Sequence, residues 1–530
     1  MTFPWTLQRY IFREMGKALL LAAIALAGVV GLGGGILNII KLGEVTPNQL
    51  ARLMALLLPL SVALTLPIAA LFSAAATYGR LSGDNEFVAC RSSGINIHWL
   101  FLPCVVLSLL SAGVCFAFTN FVIPGMVHSL NELVGADIGT LIRQRLDRPR
   151  GLTLGGKYRI HADECLTDPA NPGYLTLRGI AFVEVEGEQW ARFGTARELR
   201  VVVDRNETGF KVSGTLSGTS YYDRKADQFV EVEEQTIASS RLPTPVPEKI
   251  KYLNLRELLQ YRSDPGSWFE VRDEIQGLRQ AVGRVMVYDA LWQDWSADKA
   301  LTLADDRTTL SIKAASGGLI PRSGGIELTD VTVEERRPGG RRLIGARRAV
   351  LEVTRGENIS ETGVKTELYD ARLSDGKVSV QKPRETLAPV HLRSDLVARV
   401  QGLTEDELLN PPGTTADESL AERRVKARTK WGAICRQIVG SMHERLAFSC
   451  SVLVLVILGA ALGIIMRGSH VVTAFGISFV PALFVIITIV MGKQMAANAA
   501  TYGLGLGVIW SGIALVAVLD VWTLARVLRR

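Results

Sequence analysis

Cysteine and histidine are scarce in this 530-residue chain, six of each, and neither is grouped. Cys90, Cys104, Cys115, Cys165, Cys435 and Cys450 form no Cys-x-x-Cys pair, and His98, His128, His161, His391, His443 and His470 are equally scattered. That spacing gives no support for a zinc site or a redox motif. With only Cys165 well inside the charged middle of the chain, a framework of disulfides is excluded there. No Gly-x-x-x-x-Gly-Lys-[Ser/Thr] occurs, so the chain carries no P-loop ATPase, and Gly-x-Ser-x-Gly and His-Glu-x-x-His are absent too. Charge is also sparse, at 21% of residues against 48% apolar. Ordinary soluble domains carry roughly 25% charge, and disordered chains carry far less apolar surface. Lys and Arg alternate with Asp and Glu, so the net charge of +7 points to no nucleic-acid partner.

The charge that exists is unevenly placed. Residues 1–125 and 446–530 hold little of it, and residues 126–445 hold most. A spanning helix needs about 20 apolar residues. Six segments qualify: Ala18–Ile40, Met54–Thr77, Trp99–Ile123, Leu446–Met466, Val471–Met491 and Leu504–Val521. The first is too long for a signal peptide. Pro59 and Pro67 in the second are tolerable in lipid when neighbouring helices satisfy the freed carbonyls. The run Gly31-Leu-Gly-Gly-Gly35 suits close helix approach better than phosphate binding. With the N-terminus in the cytoplasm, Arg9, Arg13, Lys17, Arg80, Arg91, Arg467, Arg526, Arg529 and Arg530 flank the inner side. Lys41, Arg52, Lys430, Arg436, Arg445 and Lys493 flank the outer side. This nine-to-six bias places the charged middle outside the inner membrane, in the periplasm.

The middle reads as two β regions around a helical interlude, with boundaries at 126–250, 251–284 and 285–400. Tyr174–Val185 and Leu199–Val203 are β-branched runs with partial alternation, and Asp204–Gly209 has hairpin-turn chemistry. Leu253, Leu255, Leu258 and Leu259 share a helical face. A faint repeat links the two β regions. Gly194-Thr-Ala-Arg-Glu-Leu-Arg-Val-Val-Val resembles Gly345-Ala-Arg-Arg-Ala-Val-Leu-Glu-Val-Thr, and Glu-Thr-Gly follows each, at 207–209 and 361–363. The repeat suggests a duplicated β unit; one enlarged sandwich with an insertion fits as well. Residues 401–445 read as a linker, carried by Asn410-Pro-Pro-Gly, and then a charged helix. Its Arg423, Arg424, Lys426, Arg428 and Lys430 form a solvated face or, on the functional reading, a patch that attracts lipid phosphates.

The loop between spans two and three, Tyr78-Gly-Arg-Leu-Ser-Gly-Asp-Asn-Glu-Phe-Val-Ala-Cys-Arg-Ser-Ser-Gly94-Ile, predicts a short helix over about 81–94. Asp84 and Glu86 sit at its start, where the helix dipole favours anions, and Gly94 can end it. This loop resembles the coupling helix of the LptF/LptG permease family, the membrane subunits of the lipopolysaccharide exporter. The family pattern is approximately R-L-x-x-[DE]-x-E-[LIF]-x-x-x-[RHQ]-[AS]-x-G-[IFL]. The resemblance extends to Leu7-Gln-Arg-Tyr-Ile-Phe-Arg-Glu14, Leu66-Pro-Ile-Ala-Ala70, Phe121-Val-Ile-Pro124, His443-Glu-Arg-Leu-Ala447 and Leu458-Gly-Ala-Ala-Leu-Gly463. The order of elements also matches: three spans, a periplasmic β domain, three spans.

What the resemblance implies is an α-helical membrane protein with six transmembrane helices and a large inserted β-jellyroll-like domain. It would be a permease subunit that is not itself an enzyme and carries no cofactor. ATP would be used by a partner LptB-like ATPase dimer. The other implied partners are a second LptF/LptG-type permease, an LptC/LptA-like periplasmic bridge, and lipopolysaccharide or a related glycolipid. Asp84, Glu86, Phe87, Arg91 and Gly94 would form the ATPase-contacting set. Lys41 would meet lipid phosphates, as would Arg423 and Arg424 on the patch reading of the charged helix given above. The soluble block is about twice the usual family length, so its second β region has no assigned role. Two other readings stand beside this one. One is a membrane-anchored interaction or assembly protein without transport. The other is an intramembrane enzyme built on Asp520 or Asn120, for which no nucleophile–base pairing is visible.

Overall fold

The computed structural model describes residues 5–42, 47–136, 152–154, 158–167, 174–186, 189–206, 209–224, 227–242, 249–304, 308–320, 325–337, 340–354, 363–374, 379–391, 394–411, 418–466 and 471–529. The N-terminal helices are α1 (Trp5–Leu42), α2 (Pro47–Gly83), the short α3 (Glu86–Ser92) and α4 (Ile97–Ala117). A π-helical turn (Phe118–Val122) leads from α4 into α5 (Ile123–Ala136). Six strands follow: β1 (Leu152–Leu154), β2 (Tyr158–Thr167), β3 (Tyr174–Glu186), β4 (Gln189–Asn206), β5 (Gly209–Asp223) and β6 (Gln228–Leu242). Helices α6 (Leu255–Ser263) and α7 (Phe269–Asp298) precede six more: β7 (Ala300–Ala304), β8 (Thr309–Ile320), β9 (Gly325–Arg337), β10 (Gly340–Val353), β11 (Gly363–Ser374) and β12 (Ser379–His391). The chain ends in α8 (Ser394–Gln401), α9 (Glu405–Leu409), α10 (Glu418–Ile465), α11 (Val471–Ala497) and α12 (Tyr502–Arg529). Two compact units divide it: Met1–Ser263 with Cys435–Arg530, and Asp264–Ile434.

Among the described residues, six helices are long and apolar enough to cross a membrane, on α1, α2, α4–α5, α10, α11 and α12. Their side chains form two cores. One joins Ile11 and Met15 of α1 to Leu66, Ala70, Ala74 and Tyr78 of α2, Leu100 and Cys104 of α4, and Val452 and Val456 of α10. The other joins Leu71 of α2 to Leu455, Val485, Ile489 and Ile509 on α10, α11 and α12. Between lipid-soluble helices the hydrophobic effect gives no net attraction, so close packing of small residues decides which helices meet. Gly459 and Gly463 of α10 lie against Leu71 and Ala75 of α2. A Cβ on Gly459 would stand 2.6 Å from the Leu71 carbonyl oxygen, and one on Gly463 would stand 2.7 Å from that of Ala75.

Both sheets are antiparallel meanders in sequential order, β1 to β6 and β7 to β12. Each is creased along a line that crosses its strands. In the first sheet the pairing steps over Asp163, Gly179, Arg197, Gly218 and Glu233. In the second it steps over Ala315, Asp330, Arg347, Asp370 and Pro383. Gly179 and Gly218 have φ near +60°, and so do Asp330 and Asp370, on the third and fifth strand of their respective sheets. One extra residue per strand shifts the inward face by one position. Leu175 and Leu177 point in before the crease and Ile180 and Phe182 after it; in the second sheet Ile326 and Leu328 give way to Val331 and Val333. Such irregularities bend a strand and increase its twist. Each sheet therefore folds over until its first and last strands approach, β1 to β6 and β7 to β12. Pro383 falls on the crease, where it removes no ladder hydrogen bond. The faint sequence repeat marks equivalent places: Gly194 and Gly345 are each the sixth residue of the fourth strand, and Gly209 and Gly363 each open the fifth, while the Glu-Thr pairs before them lie outside the described residues. The duplicated-unit alternative matches this arrangement.

The second unit departs from expectation at two points. The helical interlude does not end near 284, because α7 continues to Asp298 and the second sheet begins at Ala300. Val285, Val287 and Tyr288 are residues that favour strands, but Val287, Leu291 and Trp295 repeat at helical spacing and are buried on one face. Tertiary burial outweighs a weak β preference there. The region after 401 is not all linker either. Thr404 and Glu407 form a reciprocal capping box for α9, with Thr404 N donating to Glu407 Oε2 (2.8 Å) and Glu407 N to Thr404 Oγ1 (3.3 Å). The Thr-x-x-Glu spacing was the legible sign of it.

Glu367 on β11 anchors a polar cluster, with Lys365 Nζ at 2.7 Å, Arg384 at 2.6 Å and the Tyr369 hydroxyl donating at 3.0 Å. The Lys365 hydrogen bond foremost, then Arg384, holds its carboxyl down at about 2, against roughly 4.3 in an unfolded chain. The ionised form therefore stabilises the folded unit above about pH 4, and this contribution is lost as pH falls toward 2. Glu367→Gln is expected to cost about 1 kcal/mol at pH 7 after allowing for the exposed partners and to flatten the acid limb. Thermal unfolding at pH 7 and pH 3 measures both.

Candidate functional site

The loop between spans two and three is built onto the end of the first helical core. Tyr78 donates its hydroxyl to Leu100 O (2.7 Å), and its ring stacks on Phe101 (5.6 Å) and tilts against Phe87 (5.9 Å). Ser82 Oγ donates to Ile464 O (3.2 Å), and Arg80 pairs with Glu14 (3.1 Å). These contacts fix the ends of α2 from which α3 projects. Asn85 at φ 60° and Gly94 at φ 79° turn the chain into and out of α3. A left-handed residue at Gly94 is the conformation glycine adopts without steric cost.

The placement of the five expected contact residues is uneven. Asp84 is exposed and Glu86 half-exposed. Phe87 differs from expectation: it is only 7% exposed and belongs to the core, so its ring anchors α3 rather than presenting a surface. Val88, 50% exposed, holds the outward apolar position instead. In a helix of seven residues the inward face depends on where the supporting core lies, and the local sequence does not reveal that. The Arg91 side chain lies outside the described residues, as does that of Lys41. On the same element, burial foremost and then the Glu86 carboxylate push the Cys90 thiol up, which keeps it protonated and unreactive.

The basic run at the start of α10 is largely committed within the second unit. Arg424 is 7% exposed and its Nε donates to Leu408 O (3.1 Å), while Arg428 Nε donates to Leu409 O (2.9 Å). The two guanidinium groups thus satisfy the last carbonyls of α9, the favourable place for cations on a helix. Lys426 pairs with Glu274 (2.7 Å) and Lys430 with Glu270 (2.5 Å), both on α7. Arg424, expected to meet lipid phosphates, is thus held as a cap on α9. Arg423 is exposed. The acidic face of α7, distant in sequence, is what turned this run into an internal contact.

Arg445, on α10 just before the apolar stretch of the fourth span, is buried. It donates to Lys251 O (3.1 Å), Ile250 O (3.5 Å) and Asn120 Oδ1 (3.3 Å). Asn120 is 1% exposed, sits in the π-helical turn, and returns its amide to Phe116 O (2.9 Å). One guanidinium thus joins span three, span four and the segment after β6. Neighbouring His128 and Glu257 lie 3.1 Å apart and link α5 to α6. Asp520 is buried, and its Oδ1 has no partner among the described residues. Among the described residues no group of three or more His, Cys, Asp or Glu could hold a metal.

The first sheet carries a groove of about 560 Å3. Ile160, Phe182, Gly194 and Tyr221 line it, with Phe193 and Phe229 beside them. Among the described residues, the core it adjoins is made of strand residues alone.

Two comparisons bear on these features. The family model described as "Lipopolysaccharide export system permease LptF/LptG" matches residues 9–526, nearly the whole chain. No curated protein matches it.

Proposed function

Because the chain belongs to the lipopolysaccharide export permease family LptF/LptG, we propose that it is the non-catalytic transport subunit of an ATP-driven exporter. In this reading it extracts lipopolysaccharide or a related glycolipid from the inner membrane and passes it to a periplasmic bridge. The observation that carries the reading is the family match across both membrane blocks, with α3 set between spans two and three where a partner ATPase would dock. Six helices long and apolar enough to span support a multi-pass membrane protein. The flanking Lys/Arg bias favours a periplasmic placement of the sheets. Asp84, two residues before α3, together with Glu86 and Val88 on it, forms the surface open to a partner groove, and Phe87 holds the helix on the bundle. The lipid route runs along the inner face of the first sheet, where the apolar groove lies.

Charge reversal at Glu86 tests the docking step. Glu86→Arg is expected to abolish co-purification with a P-loop ATPase while membrane insertion is retained. Retained assembly and transport would overturn the assignment of α3. A vesicle-release assay with the ATPase present separates transport from a purely structural assembly role. Absence of ATP-dependent lipid release would favour the assembly role.

A further inference from the structure

The two sheets share their strand order and their crease, yet their inner faces differ. The core of the first consists of strand residues only among the described residues, such as Ile160, Leu177, Phe182 and Leu199, and a groove opens beside it. The core of the second contains strand residues from all six strands and, in the same cluster, Val287, Leu291 and Trp295 of α7. Trp295 reaches the backbone of β8, with its ring 3.2 Å from where a Gly317 Cβ would stand. Tyr288 accepts a hydrogen bond from Val353 N at the end of β10 (2.9 Å), and Trp292 packs beside it. An apolar helix face therefore fills the place that, among the described residues, is left open in the first sheet.

The N-terminal half of α7 is fastened as well. Arg279 donates to Gln401 O at the end of α8 (2.6 Å), and Glu270 and Glu274 pair with Lys430 and Lys426. Lifting α7 away would expose three large apolar side chains and break these polar contacts together. Protein interiors are packed too densely to admit an acyl chain beside such a helix.

We infer that the second sheet is a closed copy of the first, with α7 as its permanent internal occupant, and that it lies outside the lipid route. It serves as a rigid module and not as a second lipid carrier. This rests on the proposed transport reading for the meaning of "route", but the closure of the sheet does not.

The test places a photoactivatable benzoylphenylalanine at aromatic positions of the full-length protein in lipopolysaccharide-containing membranes. Phe182 and Tyr221 probe the first sheet; Tyr288 and Trp292 probe the second. The expected result is a lipopolysaccharide adduct from the first pair, at least tenfold above that from the second. Adducts of equal yield at Tyr288 or Trp292 would overturn the inference. Hydrogen exchange over residues 285–297 of the wild-type protein, with and without ATP turnover, gives a second readout. Unchanged protection supports a permanent occupant, and loss of protection during turnover overturns it. If no position forms an adduct, the transport reading of the first sheet fails, and the exchange result alone decides the closure of the second.

Discussion

Replacing Gly459 with leucine is expected to destabilise the membrane bundle by about 3 kcal/mol or more, at the upper end of what overpacking costs in a dense core. The reason is geometric. Even a Cβ at this position would lie 2.6 Å from the Leu71 carbonyl oxygen and 3.4 Å from the Ala74 Cβ. The nearest obstacle is backbone, which cannot rotate away as a side chain can. Gly463, one turn further on, meets Ala75 O at 2.7 Å and Gly79 N at 2.9 Å, so α10 and α2 are in contact through two successive small residues. With lipid as the alternative solvent, separation of the helices costs little hydrophobic free energy, and the close packing itself supplies the association. Gly459→Leu should therefore separate spans two and four and lower the amount of folded protein in the membrane. Gly113→Ala is the control, since nothing stands within 4 Å of a Cβ there. Unfolding in mixed micelles should show a large loss for the first and none for the second. A Gly459→Leu protein as stable as wild type would mean that the two helices do not pack this way.

The second large effect is expected at Arg445. Arg445→Met keeps most of the side-chain length but leaves the carbonyls of Ile250 and Lys251 and the Asn120 amide oxygen without this donor. A buried acceptor left unpaired costs on the order of 1–3 kcal/mol, so the total should reach about 3 kcal/mol. The loss should be local as well as global. Hydrogen exchange over residues 249–253 should accelerate, because the guanidinium fork ties that segment to spans three and four. Arg445→Lys should recover only part of the loss, since one ammonium cannot reproduce the planar fork. Equal stability of the methionine and arginine proteins would show that the three acceptors find other donors.

The partial alternation of the strands has the same kind of origin as these contacts. Leu175 and Leu177 share one parity and Ile180 and Phe182 the other, so a strict period-2 reading fails in mid-strand. The fault is the crease, and it was legible only as a weak pattern because one irregular residue per strand is hidden among ordinary ones. The repeat between Gly194 and Gly345 was legible because it falls on the same strand of each copy. Phe87 was readable as part of a short helix but not as its inward side, and Arg424 as a cation but not as a cap for α9. In each case the deciding partner lies on another element: Tyr78 for one and Leu408 for the other.

The sequence alone determined the six spans, the charged insertion and the family. Each is a property summed over neighbouring residues: about 20 apolar side chains set the transfer free energy of a helix whatever surrounds it, and short motifs keep their spacing. Tertiary structure decided which charges stay free, which aromatic rings face inward, and which of two similar sheets remains open. Those outcomes depend on groups far apart in the chain competing for the same space and the same hydrogen bonds. No local sum contains that competition; here Val287, Leu291 and Trp295 of α7 joined the core of the second sheet, while among the described residues the first sheet's core is made by strands alone.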